Sequence, residues 1–334
     1  MDWKYCEDIL PKVSRTFALN IGKLEGDVYR AVLLGYLLFR IADTFEDTAC
    51  QEEPEKIEAL ESFAEVFRHN RSLFERLKIY KLLKNMWEED SPEKDLIRNA
   101  DKVLGCYFEL PEQYRIAMDP LLVETSQGMA EFQRQKLKSA EAVFQLADIQ
   151  DLEKYCYYVA GVVGKMLTAI FCQSKSLRHL KIDLEKHQVK FGLALQVTNI
   201  LKDYPKDVQR GWCYIPASVT KKYDIKIESM GNLSLEQKKS VLQELVPSII
   251  GYFDEALDYI RLLPISENSI RLFCIIPFVL AYNTLFSIAN AKGEKIPRED
   301  VFKILGTADH YAKDNSLLAE DYFRIRSVIS KVYN

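Results

Sequence analysis

The sequence predicts an all-α protein, and three observations support this fold class. Apolar residues recur at helical spacing along most of the 334 residues. No segment shows the strict alternation of apolar and polar residues that marks a half-buried strand. Glycine and proline are scarce, at 13 and 11 residues, which disfavours a turn-rich β-sandwich or barrel. Because no linker rich in Gly, Ser or Pro divides the chain, we expect one domain over residues 1–334.

Ten segments carry the helical pattern. They are residues 28–47, 57–85, 96–106, 112–134, 140–150, 152–173, 184–204, 235–262, 269–291 and 314–332. The breaks contain acidic residues or proline, as at residues 52–54 and 110–111. Pro205 is expected to end or kink the helix before it, because proline lacks a backbone N–H and disfavours helical geometry in the preceding residue. Residues 205–232 form the longest stretch without a helical pattern.

Composition limits the class of protein. Hydrophobic residues make up 48% and charged residues 28%, so a sizeable core can form. A net charge of −4 argues against a nucleic-acid partner. Seven cysteines without a CxxC pair fit a reducing compartment. The longest apolar run, residues 272–289, is interrupted by Pro277 and Asn283 and predicts a core helix. We therefore expect a cytoplasmic monomer with at most peripheral membrane contact.

A first polar stripe lies within the apolar segment 31–47. Tyr36, Arg40, Asp43 and Asp47 are spaced i, i+4, i+7 and i+11, which places them on one helix face. Glu46 lies beside them. Three carboxylates within two turns repel one another, and a divalent cation such as Mg²⁺ would relieve that repulsion while bringing phosphate oxygens with it. The alternative is a solvated acidic helix end.

A second stripe lies near the end of the helix predicted over residues 184–204. Gln196, Asn199 and Asp203 are spaced i, i+3 and i+7, and Asp207 follows on the predicted exit loop. Three cations surround the acidic pair: Lys202, Lys206 and Arg210. A lone DxxxD spacing is weak support for a site, but two such pairs at the ends of apolar helices favour two helices that face each other across a cavity. Cations there would bridge the carboxylates to a diphosphate.

Six blocks of this sequence resemble the squalene/phytoene synthase family, and they occur in the family's order over most of residues 14–300. They are SRTFALNI (14–21), YLLFRIADTFED (36–47), GMAEF (128–132), YCYYVAGVVG (155–164), LALQVTNILKDYPKD (193–207) and FCIIPFVLAYNTL (273–285). The YCxYVAG and FCxIP blocks resemble the squalene-forming members more than the phytoene-forming ones. The resemblance implies the all-helical isoprenoid-synthase fold with a central active-site cavity.

The resemblance also implies a reaction and a site. Two farnesyl diphosphates would condense head to head to presqualene diphosphate, which NADPH then reduces to squalene. Asp43, Asp47, Asp203 and Asp207 match the two aspartate-rich motifs, which are catalytic and bind Mg²⁺ (with Mn²⁺ as an alternative) and diphosphate. Glu46 would join the metal ligands. The tyrosine with a proton-transfer role in the family corresponds to Tyr155.

Further positions match residues that line the substrate site in the family. The substrate-contacting set comprises Ser14, Arg15, Thr16, Tyr36, Arg40, Gln196, Asn199 and Phe273. Aromatic rings that could stabilise carbocations, each of which fits a plain core position as well, are Tyr36, Phe39, Tyr155, Phe191 and Phe273. Lys295 and Arg298 match only part of the basic stretch that the family associates with NADPH, and Asp8 stands where some members carry a lysine linked to the cofactor.

Alternative functions remain open at this stage. A family member without the reductive step would make presqualene diphosphate, dehydrosqualene or phytoene. A non-catalytic relative acting as an assembly factor is a second alternative, and the intact aspartate pairs and Tyr155 argue against it. A head-to-tail prenyltransferase or terpene cyclase would share the fold and the metal chemistry, but the order of the blocks argues against it.

Overall fold

A computed structural model describes residues 2–47, 52–68, 91–139, 141–290 and 298–333, and these residues are almost entirely α-helical, as predicted. The helices are α1 (Asp2–Val13), α2 (Arg15–Ile21), α3 (Gly26–Asp47), α4 (Glu53–Val66), α5 (Pro92–Arg98), α6 (Ala100–Glu109), α7 (Glu112–Ser139), α8 (Ile149–Cys156), α9 (Val162–Phe171), α10 (Lys181–Gln209), α11 (Ala217–Lys222), α12 (Leu235–Leu262), α13 (Asn268–Ala289), α14 (Arg298–Lys313) and α15 (Asn315–Tyr333). Short 3₁₀ turns cover Arg178–Leu180 and Ile227–Asn232. A five-residue π-helical turn, Tyr157–Gly161, separates α8 from α9.

The chain packs as two compact units. Unit 1 comprises the described residues of Met1–Ala140 and Val162–Ile182. Its central helix is α3, which is apolar on nearly every face and buried along most of its length. Edge-to-face contacts link the rings of Phe45, Phe63 and Phe67, with centroids 5.6 and 5.1 Å apart. The prediction of a single domain over residues 1–334 remains a prediction.

Unit 2 comprises the described residues of Glu141–Gly161 and Asp183–Asn334. Its core lies among α12, α13 and α15, where the rings of Phe253, Tyr282 and Tyr322 surround Phe278 at centroid distances of 5.9, 5.2 and 5.5 Å. Helix α13 is long and apolar enough to cross a membrane by length and composition, with a mean hydropathy of 2.0. Because 56% of that stretch is buried within the protein, it also has the character of a core helix, as the sequence predicts.

A fully buried arginine in α13 joins several helix ends in unit 2. Arg271 donates hydrogen bonds from Nη1 to the carbonyl oxygens of Ile260 (2.9 Å) and Leu263 (2.6 Å), at the end of α12. Its Nε donates to Ala312 O (2.7 Å), near the end of α14, and its Nη2 donates to Asn315 Oδ1 (2.6 Å). Carbonyl groups in the last turn of a helix lack intrahelical donors, and the Arg271 guanidinium supplies hydrogen-bond donors to these groups.

The helix predicted over residues 140–150 is wrong. Phe144–Gln145 form strand β1, which pairs in parallel with β2, Trp212–Cys213. Helix α8 begins only after Asp148, whose Oδ1 accepts a hydrogen bond from Asp151 N at 2.9 Å. A short apolar run is compatible with a strand or a helix. Here the strand forms because its pairing partner, almost 70 residues away in the chain, supplies the backbone hydrogen bonds.

The helix that the sequence predicts to end or kink at Pro205 does not end there. Helix α10 continues through Pro205 to Gln209, so Asp207 lies on the helix rather than on an exit loop. Proline removes one i→i−4 hydrogen bond, and the residues on either side keep theirs. The helix ends at Gln209, and the chain turns at Gly211, whose φ of +79° lies in the left-handed region that glycine tolerates.

Other boundaries differ less. The segment 96–106 is two helices, α5 and α6, because the Asn99 side chain bonds back to Asp95 and interrupts the helix between them. The segment 152–173 is interrupted by the π turn. The segment 57–85 matches α4 as far as Val66, and residues 69–85 lie outside the described residues. Helices α1, α2, α11 and α14 occur where no helix was predicted.

Candidate active site

The first aspartate pair occupies the last turns of α3. Asp43 and Asp47 are one turn apart, and α3 ends at Asp47 without a basic residue in its last turn. The carboxyl end of a helix carries partial negative charge, so two carboxylates there are unfavourable without a cation. Desolvation, together with the charge of Asp47, raises the pKa of Asp43 to about 7, against the opposing effect of Arg40. Asp43 nevertheless retains 37% of its side-chain surface, so a ligand can reach it.

Arg40 lies one turn before Asp43 on the same face. Its Nη2 donates to Glu93 Oε1 at 3.1 Å, and its Nη1 lies 3.9 Å from Asp43 Oδ2. Its Nε is buried and makes no hydrogen bond within the described residues. Glu93 lies in the first turn of α5 and was not predicted as a site residue. An acidic residue beside a proline is common at the start of a helix, so Glu93 does not stand out in the sequence.

The beginning of α2 lies near Tyr36. Ser14 caps α2, with its Oγ accepting a hydrogen bond from Phe17 N at 3.2 Å. The Phe17 and Tyr36 rings are 5.5 Å apart. Burial raises the pKa of Tyr36, and a hydrogen bond with Ser14 opposes that rise. Arg15 and Thr16 belong to α2, and their side chains lie outside the described part of the structure.

The acidic residues at the end of α3 interact electrostatically with a buried lysine. Lys56 of α4 is only 6% exposed. Burial and the neighbouring Lys136 lower the pKa of Lys56, whereas Asp47 and Glu46 act in the opposite direction. Glu46 is itself buried on α3. Lys56 could not be singled out from the sequence, because it stands in a charged, mostly acidic stretch that is typical of a solvated helix face.

The second aspartate pair lies in the last turns of α10, where its carboxylates are paired with cations. Lys206 Nζ lies 2.9 Å from Asp203 Oδ1, and Lys202 Nζ lies 3.2 Å from Asp203 Oδ2. Burial alone would raise the pKa of Asp203, but these two ammonium groups hold it below its usual value. Lys202 also donates to Asn199 Oδ1 at 2.9 Å. Asp207 is 9% exposed and pairs with Arg210 at 2.6 Å.

Tyr155 lies at the end of α8, in an aromatic stack within unit 2. Its side chain is 5% exposed, and its hydroxyl lies 2.9 Å from the hydroxyl of Tyr214. The two rings stack at 4.4 Å with 23° between their planes. Trp212 stacks on Tyr214 in turn, at 5.6 Å. Tyr214 was missed from the sequence, because its neighbour in space is 59 residues away in the chain.

The other predicted aromatic residues are buried. Phe191 of α10 packs edge-on against Tyr259 and Phe278, with centroids 5.5 and 6.3 Å apart. Phe273 of α13 and Phe39 of α3 are also buried, in unit 2 and unit 1 respectively. These rings fit both an apolar site wall and a plain core.

Comparison with known proteins identifies the family. A family model described as squalene/phytoene synthase matches residues 10–304. The chain belongs to this family. Squalene synthase ERG9 of Candida albicans is 29% identical over 290 residues, which cover 85% of this chain and 61% of that protein. The squalene synthase of Dictyostelium discoideum is 30% identical over 291 residues, covering 86% and 64%.

The chain spans less than two thirds of the length of these curated relatives. Among solved structures, TcSQS in complex with the ligand BPH1237 superposes with a TM-score of 0.78 at 23% identity, covering 99% of this chain and 97% of that one. This likeness confirms the predicted all-helical isoprenoid-synthase fold. The prediction that the two aspartate pairs of this family member face each other across a central cavity stays a prediction.

The donor sets of the two pairs fit a hard divalent cation. Carboxylate oxygens are the ligands that Mg²⁺ prefers. Burial is the main cause of the raised pKa of Asp43, and a cation would stabilise the charged form that burial disfavours. Within the described ranges no cluster of three His, Cys, Asp or Glu side chains has metal-binding geometry. Phosphate and water would supply the remaining ligands of a cation bound at either pair.

The residues predicted to bind NADPH are not among the side chains described. Lys295 lies outside the described residues, and Arg298 opens α14 with its side chain outside the described part. A cavity of about 630 Å³ in unit 2 is lined by Leu201 and Tyr204 of α10, among other residues, and by none of the predicted site residues. It lies on a different face of α10 from Asn199 and Asp203.

Proposed function

We propose that this chain joins two farnesyl diphosphates head to head into presqualene diphosphate and then reduces that product with NADPH to squalene. The observation that carries the proposal is the placement of both aspartate pairs. Each pair is spaced i, i+4 in the last turns of a long helix, where the helix dipole adds to the negative charge of the carboxylates. Two carboxylates in this position repel each other as well as the negative end of the helix dipole, and binding a cation with a diphosphate explains the placement.

The substrate diphosphate would be held by the two pairs and by neighbouring donors. Mg²⁺ held by Asp43, Asp47, Asp203 and Asp207, with Glu46 as a further ligand, would supply the positive charge that lets diphosphate leave; Mn²⁺ has the same oxygen-ligand chemistry. Arg40 has a buried Nε without a hydrogen-bond partner in the described chain, and it can donate to a phosphate oxygen. Gln196 and Asn199 are carried on the same face of α10 as Asp203 and would extend this polar wall.

The aspartates of the α10 pair have cationic partners, which are Lys202, Lys206 and Arg210. They neutralise Asp203 and Asp207. Lys206 and Arg210 are substantially exposed, so releasing them to solvent or to phosphate costs little. The α10 pair is thus neutralised by its own cations and can exchange these partners when the ligand binds.

Tyr155 would handle the proton of the first half-reaction. A proton must leave the first carbon of one farnesyl chain before the cyclopropane ring closes. The Tyr155 hydroxyl is buried and held by a hydrogen bond, which suits a group that relays a proton from one fixed position. Because Tyr155 already carries its phenolic proton, it would pass a proton on to a phosphate oxygen of the released diphosphate as it takes the one that leaves carbon. The electron pair of the broken C–H bond forms the new C–C bond of the ring.

The reductive half rests on the resemblance of Lys295, Arg298 and the YCxYVAG and FCxIP blocks to squalene-forming members. Buried rings such as Phe191 would line an apolar wall that does not react with carbocations, and each ring contributes about 0.5–2 kcal/mol of cation stabilisation. The proposed cofactors are therefore Mg²⁺ and NADPH, and the proposed substrate is farnesyl diphosphate.

The proposal is tested by assaying C30 product formation from farnesyl diphosphate with Mg²⁺. Asp43→Asn and Asp207→Asn should each lower turnover at least about 100-fold, because each removes charge that the diphosphate site needs. Matched controls are Asp27→Asn on α3 and Asp183→Asn on α10, two exposed carboxylates on the same helices. The controls should keep full turnover. Full turnover of the wild type in excess chelator would refute the metal site.

A further inference from the structure

Tyr155 and Tyr214 form a buried pair of phenols. The two hydroxyls are 2.9 Å apart, the rings stack at 4.4 Å, and the side chains are 5% and 4% exposed. A buried hydroxyl without a partner costs about 1–3 kcal/mol, so each of these groups satisfies the other. The stack restricts rotation of both rings, and the hydrogen bond fixes the direction of the hydroxyl groups.

The chain segment that carries Tyr214 is held firmly on both sides. Before it, the β2 strand pairs with β1, and the Phe144 and Trp212 rings are in edge-to-face contact at 5.3 Å. After it, Ile215 O accepts a hydrogen bond from Gln145 Nε2 at 2.9 Å. Gly211, with its φ of +79°, turns the chain from α10 into this segment. Tyr214 is therefore fixed relative to residues 144–145, which lie shortly before α8, the helix that carries Tyr155.

We propose that Tyr214 is a positioning residue for Tyr155. Its hydroxyl orients the Tyr155 hydroxyl, so that Tyr155 relays the departing proton to a phosphate oxygen of the released diphosphate from one position and in one orientation. Tyr214 itself needs no contact with substrate. This inference rests on the proposed function, because it assigns Tyr214 to the proton-transfer step proposed for Tyr155. The ring of Tyr214 supplies the stack, whereas its hydroxyl supplies the orientation, and substitution by phenylalanine separates the two.

The kinetic test compares Tyr214→Phe with a matched control. Tyr214→Phe keeps the stacked ring and removes the hydroxyl; we expect kcat for presqualene diphosphate formation to fall about 10-fold, with KM for farnesyl diphosphate unchanged. The control is Tyr223→Phe, which removes a hydroxyl bonded to Glu244 at 2.6 Å at the end of α11 and should leave both constants unchanged. A change in KM alone, or no change in kcat, would overturn the proposal.

A double-mutant cycle tests whether Tyr214 acts through Tyr155. In single-turnover measurements with enzyme in excess, Tyr155→Phe/Tyr214→Phe should be no slower than Tyr155→Phe alone, because the group that Tyr214 orients is already gone. If Tyr214→Phe slows both backgrounds by the same factor, the two residues act independently and the proposal is wrong.

A spectroscopic measurement keeps the pairing separate from the reaction. With 3-fluorotyrosine at position 155, the ¹⁹F resonance of the full chain should shift and broaden in Tyr214→Phe but not in Tyr223→Phe. An unmoved resonance in Tyr214→Phe would overturn the pairing itself. If the wild type forms no C30 product but the resonance still moves, the proposed function fails while the hydroxyl pair stands, so the two failures can be told apart.

Discussion

Gly192 allows α10 to pass close to the π turn that follows Tyr155. A Cβ added at Gly192 would overlap the carbonyl oxygen of Ala160, and it would lie 2.6 Å from the Ala160 carbonyl carbon and 2.9 Å from Gly161 N. These are backbone atoms, so no side-chain rotation relieves the contact. We therefore predict that Gly192→Ala forces α10 and the π turn apart.

The size of the effect follows from two opposing contributions. Overpacking costs about 1–3 kcal/mol, and a backbone clash belongs at the upper end, about 3 kcal/mol. Alanine gains about 1 kcal/mol over glycine within a helix. The net expectation for Gly192→Ala is a loss of about 2 kcal/mol in the free energy of unfolding. Turnover should fall as well, because α10 carries Asp203 and the π turn adjoins Tyr155.

Two other glycines supply the controls. Gly251 lies within α12 with no atom within 4 Å of an added Cβ, so Gly251→Ala should stabilise the protein by about 1 kcal/mol. At Gly35 the added Cβ would lie 2.6 Å from Met166 Cε, the movable end of a side chain. The free energy of unfolding of Gly35→Ala should therefore lie between those of Gly192→Ala and Gly251→Ala. Thermal unfolding followed by circular dichroism should separate the Tm values of Gly192→Ala and Gly251→Ala by about 6 °C, at about 2 °C per kcal/mol. If Gly192→Ala raises Tm as Gly251→Ala does, the close approach of α10 to the π turn is wrong.

Three further predictions concern charge, buried arginine and thiols. The raised pKa of Asp43 means that its protonated form favours folding below about pH 4 and that this contribution to stability is lost as the pH rises towards 7. Asp43→Asn, which cannot ionise, should therefore raise the Tm of the metal-free protein at pH 8 but not at pH 4. Equal Tm shifts at the two pH values would contradict this. Arg271→Met should lower the free energy of unfolding by at least about 3 kcal/mol by leaving buried carbonyl groups without donors, whereas the exposed Arg261→Met should change it by less than about 0.5 kcal/mol. Six of the seven cysteines are described and buried, and burial raises the pKa of Cys213 to about 12. A thiol reagent at pH 8 should therefore modify these six only after denaturation. Rapid modification of two or more thiols per native chain must include one of the six and would be inconsistent with their burial.

The elements that the sequence predicted well are those with a strong local pattern. Helix α12 begins and ends at the predicted residues, and α3 and α13 match to within two residues. The helical spacing of the Asp43–Asp47 pair likewise follows from local periodicity alone. Composition and periodicity suffice for such elements, because each helix buries a continuous apolar face.

The parts that could not be predicted depend on contacts between distant residues. The pairing of Phe144 with Trp212, and through it the position of Tyr214, is a tertiary contact without a local signature. Pro205 was expected to end or kink α10, but α10 continues past it, because one missing hydrogen bond near a helix end costs less than the rest of the helix contributes. Lys56 is an ordinary charged residue in the sequence, and only the packing of α4 buries it beside Asp47.

Head-to-head condensation is tested most directly by the hydrogen count of the product. Farnesyl diphosphate carrying two deuterium atoms at its first carbon is incubated with the protein and Mg²⁺, with and without NADPH, and the lipid is identified by mass spectrometry. We predict presqualene diphosphate without NADPH and squalene with it, each retaining three of the four deuterium atoms because one leaves as the ring closes. A product that retains all four, or no C30 product under either condition, would contradict head-to-head condensation by this protein.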